Sequence, residues 1–171
     1  YFTASWLWAM YPERSLRFLN RGVAGNTVPD MLARWQKDTI DWQPDWLSIM
    51  AGMNDALQQM EGGHSDAEGF ERDYRKLLEW TVEATPARLI MLESFLLPAK
   101  PEWEELRLYL NPLIEVTREL AREFEAFFVP LDGIFAEAAT RQEIPYWTAD
   151  GIHPLPPGHA LIEQWFLRTI G

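Results

Sequence analysis

Three short apolar runs constrain this 171-residue chain more than any other feature. W-L-S-I-M at 46–50, R-L-I-M-L at 88–92 and F-F-V-P-L at 127–131 are almost continuously hydrophobic. A strand with one wet face alternates apolar and polar residues. A strand buried on both faces does not, and that pattern belongs to parallel sheets covered on both sides. Helical periodicity fills the intervals. Thr27 with Asp30 makes a capping-box-like start, with Pro29 in the first turn, for a helix carrying Met31, Leu32, Trp35 and Ile40 as far as Pro44. Ser65 and Glu68 suit a second capping box, for a helix to about Val82 with Phe70, Tyr74, Leu77 and Leu78 along one face. Residues 102–126 read as a long helix with Glu and Arg on its solvent side, 134–140 as a short one and 160–169 as the closing one. The chain opens with a helix over 1–11, ended by Pro12. Residues 16–20, L-R-F-L-N, read as one further strand.

Strands alternating with helices of this length imply right-handed βαβ units. The expected fold class is therefore α/β, a three-layer α/β/α sandwich with a central parallel sheet. A chain of this length is a single domain, residues 1–171. Ligands of such sheets sit beyond the carboxyl ends of the strands. That singles out the loops after Asn20, Met50, Leu92 and Leu131, and the turn at 148–158.

The totals remove several functions. A formal charge of −11 argues against nucleic acid or an anionic membrane as partner, since both need clustered Lys and Arg. No apolar run approaches the about 18 residues of a membrane span. With no cysteine there is no disulfide, thiolate metal site or cysteine nucleophile. Three histidines without H-x-x-x-H spacing argue against zinc. The start, Y-F-T-A-S-W-L-W, lacks a charged leader and cleavage site, so a cytoplasmic location is expected.

Three loops carry candidate chemistry, each ambiguous alone. In R-G-V-A-G-N-T, Gly25 lets a backbone N–H approach a ligand beside a helix N-terminus, or it only makes a tight turn. In G-M-N-D, Asn54 offers an amide to a developing oxyanion, or joins Asp55 in a local turn. Asp55 itself reads as structural, because a second carboxylate near an oxyanion opposes the chemistry. In D-G-I-H, Asp150 can fold back onto His153 and fix its tautomer, leaving the other ring nitrogen free to take a proton. His159, beside Ala160 and Leu161, reads as helix-start structure.

Together and in this order, R-G-V-A-G-N-T, G-M-N-D and D-G-I-H-P resemble blocks two, three and five of the SGNH hydrolases, the GDSL esterase/lipase group. The connecting stretches N-R-G-V-A-G-N-T-V-P-D-M-L-A-R-W and G-I-H-P-L-P-P-G-H-A-L-I extend the likeness over essentially the whole chain, towards bacterial esterases of the acetylxylan-esterase type. The resemblance implies a flavodoxin-like SGNH fold and a serine esterase acting on small acyl esters, such as acetyl groups of carbohydrates of the xylo-oligosaccharide kind. It implies Gly25 (backbone N–H) and Asn54 (side chain) as oxyanion donors, His153 as general base and Asp150 as its orienter. It implies no metal or organic cofactor. The partner is a small-molecule ester. Trp147 and Trp103 are candidate sugar-stacking surfaces, against core packing. Trp6 and Trp8 suit either a subunit contact in a homo-oligomer or burial.

The block carrying the nucleophile is absent. Ser5, Ser15, Ser48, Ser65 and Ser94 all lack a G-D-S context, and only Ser94 falls near the carboxyl end of a strand. In the related fold the first strand is central. Without it, its two neighbours stand about 9.6 Å apart with unpaired backbone between them. The expectation is a serine upstream of Tyr1, on a first strand missing from these residues. Two alternatives are a lipase- or thioesterase-like preference for longer acyl chains, and a catalytically inactive carbohydrate-binding homologue.

Overall fold

In the computed structural model, which describes residues 2–63 and 66–171, the three apolar runs form one parallel sheet. Helices α1 (Phe2–Met10), α2 (Val28–Ala33) and α3 (Trp35–Asp38) precede β1 (Trp46–Met50). Between β1 and β2 (Arg88–Leu92) lie α4 (Met53–Met60) and α5 (Ala67–Ala84). The long α6 (Glu102–Glu123) leads to β3 (Phe127–Val129), and α7 (Leu131–Arg141), α8 (Ile144–Trp147) and α9 (Pro156–Ile170) follow it. The order is β1-β2-β3, with Trp46 opposite Arg88 and Ile90 opposite Phe127.

β2 explains why both faces are covered. Its side chains point alternately to opposite faces. Leu89 and Met91 join a cluster with Phe70, Leu77 and Leu78 of α5 and Leu106, Leu110 and Leu113 of α6. Ile90 and Leu92 join the other, with Val129, Phe95, Phe135 of α7 and Leu161 of α9. There the Phe95 and Phe135 rings stack 3.7 Å apart. Each fully buried leucine or phenylalanine contributes about 1.5–3 kcal/mol. These two clusters hold the layers together.

The expected strand at 16–20 does not form. Phe18 and Leu19 are exposed and the segment joins no ladder. A strand is only as stable as its neighbour, and none stands beside it among the described residues. β1 likewise departs from full burial: only Ile49 is buried, while Trp46 is 42% and Met50 44% exposed. Its outer edge carries no partner among the described residues.

Helix boundaries moved for local reasons. β3 stops at Val129 because Pro130 has no N–H for a ladder, and α7 begins three residues earlier than expected. α9 begins at Pro156, where a proline suits the first helical position, so His159 lies in its first turn. The helix expected from Thr27 to Pro44 is broken, since Arg34 leaves helical dihedrals and divides α2 from α3. Its capping box is present: the Thr27 N–H donates to Asp30 at 3.0 Å, which holds the Asp30 carboxyl below its ordinary range. Ser65 lies outside the described residues. Asp66 caps α5, accepting from the Gly69 N–H at 2.8 Å. Trp6 and Trp8 are exposed rather than buried. Among the described residues no helix is long and apolar enough to cross a membrane.

Candidate active site

The turn after α8 is drawn tight by its own backbone. Ala149 N–H donates to His153 O at 2.9 Å, Leu155 N–H to Trp147 O at 2.9 Å, and Gly151 N–H to the Thr148 hydroxyl at 3.0 Å. Gly151 has φ +98°, and a Cβ there would lie 2.4 Å from Leu97 O. Only glycine fits.

Inside this turn Asp150 grips its neighbours. Oδ1 accepts from the N–H of Ile152 at 3.2 Å and of His153 at 3.0 Å, and Oδ2 lies 3.0 Å from His153 Nδ1. A carboxylate only accepts, so Nδ1 is the donor, and in the neutral ring Nε2 keeps its lone pair. The His153 side chain is 75% exposed, so that nitrogen is open to a reactant. Partial burial pushes the Asp150 carboxyl up. The bonds from the His153 ring, the His153 N–H and the Ile152 N–H outweigh it and hold the carboxyl below its ordinary value. The acid therefore stays ionised.

Gly25 lies on the loop before α2 and Asn54 in the first turn of α4, and the two segments touch. Gly25 has φ +81° with open space around it, just before the Thr27 cap of α2. Gly52, at φ +114°, starts α4, and Asn54 in its first turn donates through Nδ2 to Asn26 O at 2.9 Å. An amide nitrogen has two hydrogens, so this bond orients the group and leaves one free. Asp55, fully buried, accepts from the Val28 N–H at 3.0 Å and locks α4 against α2. Its other oxygen has no partner among the described residues, and burial pushes its carboxyl up.

The segment after β2 joins these halves. Ser94 donates to Ala51 O at 2.9 Å on one side, and the Leu97 N–H donates to Gly151 O at 2.9 Å on the other. Ser94 is buried with its hydrogen committed, so it stitches strand ends together instead of presenting a nucleophile. Trp103 is buried too, packed in the first core cluster, and its indole N–H donates to Asp150 O at 2.5 Å, bracing the turn. Trp147 packs half-buried on the second core cluster and donates to Gln142 O at 3.1 Å. His159 is exposed on the first turn of α9. No local pattern points to Thr148 or to the Trp103 bond, because both act through contacts made only in the folded turn.

Open glycine and amide donors, and an imidazole fixed by an ionised acid, lie in loops beyond the carboxyl ends of a parallel sheet. That is the layout of an SGNH-type acyl hydrolase. The chain belongs to the GDSL-like lipase/acylhydrolase family, whose profile matches residues 2–161, and is a carboxylic ester hydrolase by that membership. It is 32% identical over 170 residues to an acetylxylan esterase of Geobacillus stearothermophilus, covering 96% of this chain and 77% of that one. The solved structure of that esterase superposes with a TM-score of 0.89 at 31% identity, over 99% and 79% of the two chains. A protein of Parabacteroides merdae described as a GDSL-like lipase gives a TM-score of 0.92 at 31% identity, over 98% and 79%. Thioesterase 1/protease 1/lysophospholipase L1 of Escherichia coli is 28% identical over 153 residues, 89% of this chain and 66% of that one. Catalytic variants of the Geobacillus esterase have been solved with a serine, an aspartate or a histidine changed to alanine. That aspartate precedes the histidine by three positions, as Asp150 precedes His153.

Proposed function

We propose that this protein removes small acyl groups, acetyl above all, from carbohydrates such as xylo-oligosaccharides, by a serine acyl-enzyme mechanism. The observation that carries the reading is the Asp150–His153 pair, with Nδ1 held at 3.0 Å and Nε2 free. Likeness to an acetylxylan esterase over nearly the whole chain supports the substrate class. The serine belongs to a further strand paired with the free edge of β1. The exposed Trp46 and Met50 of β1, and an outer edge without a partner among the described residues, support this placement.

The serine Oγ attacks the ester carbonyl while its proton passes to His153 Nε2. The carbonyl oxygen takes the electron pair, and the Gly25 N–H and the free Asn54 hydrogen stabilise it. As the C–O bond to the sugar breaks, His153 returns the proton to the departing hydroxyl. Water then repeats the sequence, adding its oxygen to the acyl carbon and regenerating the serine. Asp150 stays ionised and stabilises the imidazolium.

Treating the intact protein with a serine-directed fluorophosphonate and weighing it tests the reading. A single adduct and faster turnover of acetyl than octanoyl nitrophenyl ester are expected. Folded protein with no adduct would instead favour an inactive carbohydrate-binding module. Faster octanoyl turnover would favour the longer-chain reading, which the Escherichia coli relative supports. His153→Ala should abolish turnover, by about 10³-fold or more, and leave the thermal midpoint nearly unchanged, because the ring stands in solvent.

A further inference from the structure

The Asp150–His153 turn is bonded to Trp103 on α6 and to Leu97 in the segment after β2, and α6 also holds the residue next to Leu97. Trp103 on that helix holds Asp150 O directly, at 2.5 Å. One turn further along, Arg107 forms a fork on Asp132, with Nη1 2.8 Å from Oδ2 and Nη2 2.7 Å from Oδ1. Asp132 Oδ1 also accepts from the Leu96 N–H at 3.1 Å, and Arg107 donates to Leu96 O. Both backbone groups of Leu96 are thus held by one ion pair. The next N–H along the chain, that of Leu97, reaches Gly151 O at 2.9 Å. Asp132 is fixed in its turn, since its own N–H donates to Glu93 at 2.9 Å and Glu93 is gripped by Arg118 at 2.6 Å.

We infer that Arg107 and Asp132 are positioning residues for the Asp150–His153 pair, acting through the Leu96–Leu97 backbone. The inference rests on the esterase reading for its kinetic consequence and on geometry for the rest. Leu96 and Leu97 are almost fully buried, so any replacement for the fork must enter through the space the guanidinium leaves, and water there does not fix both backbone groups of Leu96 at once. A bidentate guanidinium that also reaches a carbonyl fixes distance and plane together; an ammonium fixes neither. Releasing the fork lets 96–97 rotate, and Gly151 O loses its aligned donor. The acid that orients the imidazole, Asp150, is the residue just before Gly151. Neither Arg107 nor Asp132 touches the turn itself, so their effect reaches it only as alignment.

The test uses the full-length protein with Arg107→Ala, Arg107→Lys and Asp132→Glu. For Arg107→Ala a fall in kcat of about 10–100-fold is expected with KM changed by less than about twofold, since misplacement of reacting groups by about 1 Å costs on that order. Added guanidinium should restore part of kcat in Arg107→Ala, and Arg107→Lys should remain impaired. A second readout is independent of turnover. The Trp103 indole N–H resonance, assigned with Trp103→Phe, should move and exchange faster in each variant. The Trp35 indole, bonded to Thr81 at 2.9 Å deep in the core, should not. Folded Arg107→Ala or Arg107→Lys protein with kcat within about twofold of the parent and an unmoved Trp103 resonance would overturn the inference. If the parent hydrolyses no ester while the Trp103 resonance responds, the clamp stands and the esterase reading falls.

Discussion

In the proposed mechanism Asn54 is structural and chemical at once. One amide hydrogen is tied to Asn26 O at 2.9 Å, which fixes the group's plane and aims the other hydrogen. Losing an oxyanion donor of this kind costs about 2.7–4 kcal/mol of transition-state stabilisation, or ~10²–10³ in kcat. Losing the tether costs about 1 kcal/mol of fold. Asn54→Ala should therefore lower kcat by ~10²–10³ with little change in KM. Steady-state kinetics on a nitrophenyl acetate check it, and a loss of only a few-fold would leave Asn54 as turn structure. At this scale the sequence was informative where chemistry is local. Asp150 and His153 stand three positions apart, so their contact is written in a single turn. The grip of Trp103 on Asp150 O spans 47 positions and depends on where α6 docks. No local pattern announces it. Until the helix is in place, Trp103 reads equally as core packing or as an aromatic surface.

Between elements, Asp55 links α4 to α2 at a cost. Its Oδ1 accepts from the Val28 N–H, and its Oδ2 is buried without a partner among the described residues. Burial raises its folded pKa above the ordinary 3.8, against the opposing bond from Val28. An acid raised on folding contributes no penalty below its unfolded value. The penalty grows as pH rises from there through the folded value, and is full above it. Asp55→Asn keeps the acceptor for Val28 and removes the charge. Relative to the parent, its urea midpoint should be near equal at pH 4 and higher at pH 8, by about 1 kcal/mol or more of stability. A difference independent of pH would mean that the buried charge is not the cause. Element identity was legible wherever burial was complete, as at β2. It failed at residues 16–20, where the pattern is strand-like but the chain has no ladder to join. Periodicity reports what a segment is fit for. Pairing decides what it becomes.

At the scale of the whole molecule the sheet is lopsided. β2 is covered on both faces by core, while β1 leaves Trp46 and Met50 in solvent and its outer edge unpaired among the described residues. Exposed edges and apolar patches of this kind are templates for another strand. Net charge of −11 opposes self-association without removing the template. Residues 1–171 alone should therefore bind a hydrophobic dye such as anilinonaphthalene sulfonate and show red-shifted emission from Trp46, assigned with Trp46→Phe. In a protein that carries the serine strand against β1, dye binding should fall and that emission should shift to the blue. Backbone amides of β1 that point to the outer edge should become protected from hydrogen exchange, because they gain carbonyl partners. The protection separates strand docking from mere coverage of the patch by a loop, which would shield side chains and leave those N–H groups exchanging. If β1 edge amides exchange at the same rate in both forms, the serine strand does not seat beside β1. The nucleophile would then have to reach His153 from another side.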